Sequence, residues 1–285
     1  MSLLTQLRYN LAQFSTNEQK IAHHLLSDPF SVLSLSSQKL ANQCEVSQSS
    51  IVKFTQKLGC RGFTEFKVKM SEEIGREHAI VQGNTTLHNL ISVKDSLQEV
   101  AQKIAEEKSA AILQTTNNIN TDEFKQVVQW LDIAGKVQIA GIGGSALVAK
   151  DLSYKLMKIG IPTLNEFDSH VQITIANTLQ PKDVFLAFSY SGQRKDILFA
   201  AETAKKRGAY VVAITSLAHS LLRDMADCVL TTLAEEGDMR SSSISSRTAQ
   251  HTIADLLFLS LVQQRDVQAA IQIRDMKGAV DDLSR

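Results

Sequence analysis

The sequence predicts an α + α/β chain, with an all-helical N-terminal domain followed by an α/β domain whose parallel sheet is flanked by helices. Three observations carry this expectation. From Leu3 to Met70 apolar residues recur at helical spacing with no period-two run. After Gly135, short β-prone runs at residues 137–140, 184–188, 210–215 and 229–232 alternate with helix-length segments, the pattern of βαβ units. The chain has 285 residues, 44% of them hydrophobic, which is more than one ordinary core accommodates.

Within the N-terminal part, Ser36-Ser37 and Ser47-Gln48-Ser49-Ser50 offer helix N-caps. Between residues 37 and 58, Leu40 and Ala41 fall in a first helix and Val46 in a turn. Ile51, Val52 and Phe54 form the buried face of a second helix. This is helix-turn-helix spacing, in which a small residue at Ala41 lets the helices cross closely. Glu45 departs from the pattern, because the tight turn commonly carries glycine there. The polar stretch around residues 77–95, with Gly83-Asn84-Thr85-Thr86 at its centre, reads as a linker after a head of residues 1–76. Residues 96–118 and 122–131 read as amphipathic connecting helices in a 96–134 segment, with the α/β domain occupying 135–285. Gly160, before Pro162, and Gly208, after Lys205-Lys206-Arg207, sit where helices should stop.

The second helix of the motif opens with short polar side chains and free backbone N–H groups, suited to phosphate contact and base-edge readout. Lys53, Lys57, Arg61, Lys67 and Lys69 follow, opposed only by Glu65, and such a basic face gains salt-dependent affinity for a phosphate backbone. A solvated basic face on a plain helical subdomain fits the same spacing. The run from Ser47 to Gly59, with Gly62-Phe63-Thr64-Glu65-Phe66-Lys67 after it, resembles the DNA-binding head of the RpiR-type regulators over most of residues 1–76. The resemblance implies operator DNA as a partner. Ser36, Ser37, Ser47, Gln48, Ser49, Ser50, Lys53, Lys57 and Arg61 are the candidate contacts.

In the second domain Gly141-Ile142-Gly143-Gly144-Ser145-Ala146 follows a strand and opens a helix, so backbone and helix N-terminus can meet an anion. The same run fits a dinucleotide fingerprint, with Glu166 or Asp168 near the place of a ribose-binding carboxylate. Ser189-Tyr190-Ser191-Gly192 follows the 184–188 run and supplies two hydroxyls and a turn glycine, a second cradle for a compact dianion. Simple helix capping by Ser189 and Ser191 is the competing reading of those residues. The two loops together resemble a SIS (sugar isomerase) domain. That resemblance implies phosphate ligation by Gly144, Ser145, Ser189, Ser191 and Gly192, with Gln193 and Arg194 at the rim in place of the family's usual glutamate and hydroxyl residue. His170, beside Asp168 and Ser169 at a helix start, is the candidate for a hydrogen bond to the sugar. The run from Arg240 to Gln250 precedes a long apolar helix at 253–262, and Arg240 and Arg247 in it are chemically suited to a phosphate or a sugar carboxylate. Ordinary salt bridging explains such an arginine equally well.

Lys+Arg and Asp+Glu number 30 each, so no global field draws the chain to nucleic acid or membrane and any DNA-binding surface must be local. The N-terminus has no apolar h-region, no stretch approaches a membrane span, and the expected compartment is the cytoplasm. Cys44, Cys60 and Cys228 are far apart and read as small buried residues. The seven histidines show no zinc-ligand spacing, so neither metal nor cofactor is expected. Trp130 reads as core, and the pairs Glu106-Glu107 and Glu235-Glu236 as solvated charge.

As a whole the chain resembles an RpiR-type repressor of amino-sugar catabolism, acting as a homodimer or homotetramer whose heads meet half-sites roughly 34 Å apart. Residues 144–148, 155–160 and 240–250 are most similar to family members that respond to N-acetylmuramic acid 6-phosphate, with N-acetylmannosamine 6-phosphate the next candidate effector. No catalytic residue is assigned. A sugar-phosphate isomerase or lyase, and a repressor sensing NADH, are the competing classes. Turnover of an amino-sugar phosphate marks the first, and stabilisation by NADH alone the second.

Overall fold

The computed structural model describes residues 3–81, 86–236 and 242–282. The chain divides into two compact units, the first ending at Lys103 and the second running from Ile104.

The first unit is helical: α1 (Leu3–Asn10), α2 (Thr16–Ser27), α3 (Ser31–Ser34), α4 (Ser37–Gln43), α5 (Gln48–Lys57) and α6 (Phe63–Val81). Their apolar stripes converge on Leu7, Ile21, Leu25, Leu40, Ala41, Ile51, Phe54, Phe66 and Met70, all essentially removed from solvent. Phe14 meets Phe54 edge to face at 5.1 Å, which fixes the turn leading into α2 against α5. Val52 is half-buried rather than core, one residue off the stripe set by Ile51 and Phe54.

The turn between α4 and α5 explains how glutamate occupies a glycine position. Val46 N–H bonds to Ala41 O at 2.9 Å, while Glu45 takes a positive φ of 53°. The same six-to-one bond closes α5, where Cys60 N–H reaches Thr55 O and the positive φ belongs to Gly59. Glu45 thus carries the strain of a left-handed residue with a side chain, and Lys20 pairs with its exposed carboxylate at 3.2 Å.

The stretch read as a linker has structure of its own. α6 continues through Val81, and β1 (Thr86–His88) pairs antiparallel with β2 (Ile91–Ser92). Residues 82–85 lie outside the described residues. Strands of two or three residues are too short to show period-two patterning, which is why the sequence does not announce them.

In the second unit α7 (Leu97–Asn117) arrives from the first, followed by α8 (Thr121–Ile133), β3 (Val137–Gly141), α9 (Gly144–Met157), β4 (Thr163–Leu164) and α10 (Ser169–Ala176). Then come β5 (Val184–Phe188), α11 (Lys195–Lys206), β6 (Tyr210–Ser216), α12 (Leu221–Met225), β7 (Cys228–Thr232) and α13 (Ile244–Asp282). The five strands are parallel in the order β4-β3-β5-β6-β7.

Side chains alternate across this sheet into two layers. Val137, Ile139, Leu186, Phe188 and Ile214 pack on α8, α9 and α13, while Ala140, Phe185, Ala187, Val211 and Ala213 pack on α10, α11 and α12. Burial on both faces is the reason the central strands read as continuous apolar runs. Trp130 on α8 is half-buried and stacks on Tyr210, ring centroids 4.3 Å apart, a packing role. The three cysteines are free and buried. α13 runs well past the apolar stretch at 253–262 and breaks at Asp266, which has φ 46° and ψ −120°. Just before the break, Arg265 donates to Asp132 Oδ1 at 2.5 Å and to Ile159 O at 2.6 Å, anchoring the helix to α8 and to the turn after α9. Among the described residues no helix is long and apolar enough to cross a membrane, and no group of three or more metal-ligating side chains occurs.

Candidate functional site

Two surfaces collect the polar residues that the sequence singles out. The first is the start of α4 and α5. Ser36 Oγ accepts from Lys39 N–H and Ser47 Oγ from Ser50 N–H, both at 3.2 Å, so each serine caps its helix. Gln48 Nε2 donates to Ser37 Oγ at 2.8 Å and ties the two helix starts together. Ser47 Oγ lies 2.8 Å from the hydroxyls of both Ser49 and Ser50. Ser36, Ser47, Gln48, Ser49 and Lys53 are exposed, and Ser37 and Ser50 half-buried. The result is a solvent-facing cluster of donors at a helix N-terminus.

The basic residues behind it fall into two sets. Lys57 Nζ reaches both carboxylate oxygens of Glu18 at 3.0 Å and lies over the Phe14 ring. Desolvation opposes the charge on Glu18, but the Ser15 backbone N–H and Lys57 outweigh it and hold its carboxyl below the usual range. Lys67 donates to Leu35 O at the end of α3, and Lys69 pairs with Glu65 at 3.0 Å. These three lysines are engaged with the head itself. Lys53 is exposed, and Arg61 has 97% of its side chain exposed with only a long 3.9 Å approach to Glu65.

The second surface lies at the carboxyl end of the parallel sheet, where β3 and β5 are neighbours and the chain order reverses. In open α/β sheets this switch point is the usual ligand crevice. The Gly141–Ser145 loop leaves β3 there, and the Ser189–Gly192 loop leaves β5. Gly141 has no room for a side chain, since a Cβ would stand 2.9 Å from Ser145 O and from Ala146 N. Gly192, at φ 63°, is walled by Ser220, whose Oγ would lie 2.2 Å from a Cβ.

Both helices that follow these loops begin without a side-chain cap: α9 after Gly143 and α11 after Arg194. By contrast α8, α10 and α12 are capped by Asn120, Asp168 and Ser220. The open N–H groups of α9 and α11 are therefore available to an anion, and the helix dipoles favour one.

Ser189 is 4% exposed, and its Oγ is buried with no hydrogen-bond partner among the described residues. Ser191 is exposed, and its Oγ accepts a long 3.4 Å bond from Gln193 N–H. Arg247 lays its aliphatic stem against Gly144, Cδ 3.2 Å from where a Cβ would be, and its Nε donates to Ser243 O. Arg240 and Ser241 of the same run lie outside the described residues.

His170 is exposed at the start of α10. Its backbone N–H is held by Asp168 Oδ1 at 2.8 Å, but its side chain makes no described bond to either loop. Asp168, weighed as a ribose-binding carboxylate, spends Oδ1 on that cap.

Three residues escaped the sequence reading. Gln250, fully buried on α13, donates from Nε2 to Ser145 Oγ at 3.1 Å. Gln172 ties α10 to the first loop, with Nε2 donating to Gly141 O at 3.0 Å. Thr215 closes the second loop by donating to Tyr190 O at 3.2 Å. Each is a polar residue set among buried positions, a signal visible in the sequence once the helix or strand register is known. Glu107 and Glu236 also correct the reading as solvated charge. Glu107 on α7 accepts from Ser245 Oγ and Glu236 from Ser246 N–H, both at the first turn of α13.

Residues 1–77 match the helix-turn-helix domain of the rpiR family, and residues 131–260 match the SIS domain. Among solved structures, the Vibrio vulnificus NanR protein complexed with ManNAc-6P is 22% identical, with 99% of each chain covered and a TM-score of 0.64. The sugar isomerase domain of an RpiR transcription factor from Sphaerobacter thermophilus is 23% identical. It covers 63% of this chain and 99% of its own, with a TM-score of 0.55. A putative sugar-phosphate isomerase from Listeria monocytogenes is 18% identical over 60% of this chain and 93% of its own, also at 0.55. At these identities the likenesses speak to fold.

Proposed function

We propose, from the premise that this is an RpiR-type chain with that family's helix-turn-helix domain and a SIS domain, that it is a DNA-binding transcriptional repressor released by an amino-sugar 6-phosphate. The observation that carries the effector half is Ser189. A hydroxyl buried without a partner is costly unless a ligand or water completes it, and this one lies at the sheet's switch point, in the loop that leads to one of two uncapped helix starts. A phosphate group meets all of those donors at once. For the DNA half, the exposed serine and glutamine cluster at the start of α5, with Lys53 and Arg61 turned outward, has the composition of a surface that meets phosphates and base edges.

Ligand and DNA affinities are linked. An effector that binds better to a state with misplaced heads lowers operator affinity by the same factor, typically a coupling of about 1–3 kcal/mol. α13 is suited to transmit the change, because it touches Ser145 through Gln250 and α7 through the Ser245–Glu107 bond. α7 is also the segment by which the chain enters this unit. A homodimer, or a homotetramer built from dimers, presents paired heads to a two-fold operator.

The effector is an amino-sugar 6-phosphate, with N-acetylmuramic acid 6-phosphate and N-acetylmannosamine 6-phosphate the two leading candidates. A thermal-shift panel of these two compounds, their unphosphorylated parents and NADH tests the reading. A ligand at about 100 times its dissociation constant adds roughly 2.7 kcal/mol. We expect stabilisation by a phosphorylated sugar alone, lost in Ser189→Ala, together with release of operator DNA. A response to NADH alone, or steady turnover of the sugar phosphate, overturns it.

A further inference from the structure

The amide of Gln250 has two ends, and only one is used by the protein. Nε2 donates to Ser145 Oγ at 3.1 Å, whereas Oε1 is buried with no hydrogen-bond partner among the described residues. Because the two atoms belong to one amide, the orphan oxygen stands beside the same cradle hydroxyl. The bond also sets a direction. Ser145 receives a proton from Gln250 and keeps its own O–H to give, so at this spot the cradle offers a donor to an anion.

Oε1 asks for the opposite. It is an acceptor in a site otherwise built from donors: the Ser145 and Ser189 hydroxyls and the open N–H groups of α9 and α11. The dianionic phosphate of a sugar 6-phosphate carries acceptors only and cannot satisfy a carbonyl oxygen. A ligand that completes Oε1 does so with a donor from a part of it other than the phosphate. Sugar hydroxyls and the N–H of an acetamido substituent are the donors that such a ligand carries.

We infer that Gln250 is a specificity-determining residue whose Oε1 accepts a hydrogen bond from a hydroxyl or acetamido N–H on the sugar, so that the site separates a sugar phosphate from phosphate alone. The inference rests on the sugar-phosphate reading above. It also gives Arg247 and Gln250 different tasks on one helix. Arg247 packs its stem over Gly144 and supplies positive charge beside the first loop, while Gln250 supplies the neutral acceptor next to Ser145.

The test uses the full chain and measures dissociation constants calorimetrically for methyl phosphate in its dianionic form, which has no O–H to give, for N-acetylmannosamine 6-phosphate and for N-acetylmuramic acid 6-phosphate. Wild type, Gln250→Met and Gln250→Glu are compared. Gln250→Met fills similar space without hydrogen bonding, and the preference for sugar phosphate over methyl phosphate should fall about tenfold, the equivalent of one net hydrogen bond. Gln250→Glu keeps an oxygen at the same place, so both ligands should weaken by charge repulsion while the preference survives.

An unchanged preference in Gln250→Met overturns the inference and leaves the proposed function standing. Equal weakening of all ligands in that variant means that Gln250 only supports Ser145, and overturns it too. If Gln250→Met does not fold, Gln250→Glu decides alone, and a collapse of the preference there is the refuting result. Failure of the wild type to bind either sugar phosphate removes the functional reading and this inference together.

Discussion

Replacing Gly192 by alanine should damage the second unit far more than the same change at Gly143, although both glycines have φ near 60°. At a positive φ an added Cβ costs roughly 1–3 kcal/mol in either variant, before any contact is counted. At Gly143 nothing lies within 4 Å of the added atom. At Gly192 the Cβ would stand 2.2 Å from Ser220 Oγ, 2.6 Å from Ser220 Cβ and 3.1 Å from Thr215 Oγ1. Ser220 cannot swing aside freely, since it is 1% exposed and caps α12 by accepting from Arg223 N–H. Overpacking of this kind costs about 1–3 kcal/mol more. With a urea slope of about 2–3 kcal/mol/M for a unit of this size, the two midpoints should differ by roughly 0.3–1.5 M. The chain's single tryptophan, Trp130, lies in this unit stacked on Tyr210, so its fluorescence follows the unit directly. Equal midpoints for Gly192→Ala and Gly143→Ala would refute the argument that Ser220 is a wall.

Glu45→Gly should stabilise the head by about 0.5–1 kcal/mol, the left-handed penalty of roughly 1–2 kcal/mol less the entropy of glycine. A raised unfolding midpoint for residues 3–81 by hydrogen exchange checks it. Lys53→Ala should make the salt dependence of operator binding shallower by about one unit of slope. Lys57→Ala should change it less, because Lys57 is already engaged with Glu18. Filter binding across a salt series separates them, and equal losses mean that the Glu18 pair opens on DNA. Burial pushes the Cys228 thiol from 9.0 up to about 11. The folded state therefore keeps a proton that the unfolded chain releases, and stability should fall as pH rises between about 9 and about 11. Cys228→Ala should flatten that part of the curve, whereas an unchanged curve would clear the thiol.

Much of this architecture is legible in the sequence for a definite physical reason. Central parallel strands are buried on both faces, so β5 and β6 appear as unbroken apolar runs whose ends carry the loops. The helix-turn-helix was readable despite Glu45, because Ala41 and Val46 set the packing and the strained turn follows from it. β1 and β2 were not readable, being shorter than one period of any pattern. The second half of α13 was missed because the apolar run ends at Val262, while the helix is carried on by the Arg265 anchors to Asp132 and Ile159, partners over 100 residues away in sequence.

The two candidate surfaces differ in how far a sequence can specify them. Charge on the head was visible, but which lysines are free was not, since Lys57 is claimed by a carboxylate 39 residues earlier. Nothing local marks such a pair. The cradle behaves differently, because its ligand groups sit where polar atoms are expensive. Ala249, Ile253, Leu257 and Leu261 form the buried stripe of α13, and Gln250 is fully buried alongside them. A polar residue at a buried helix position needs a reason, and half of its amide finds one in Ser145. The half that does not is what ties this helix to the identity of the ligand.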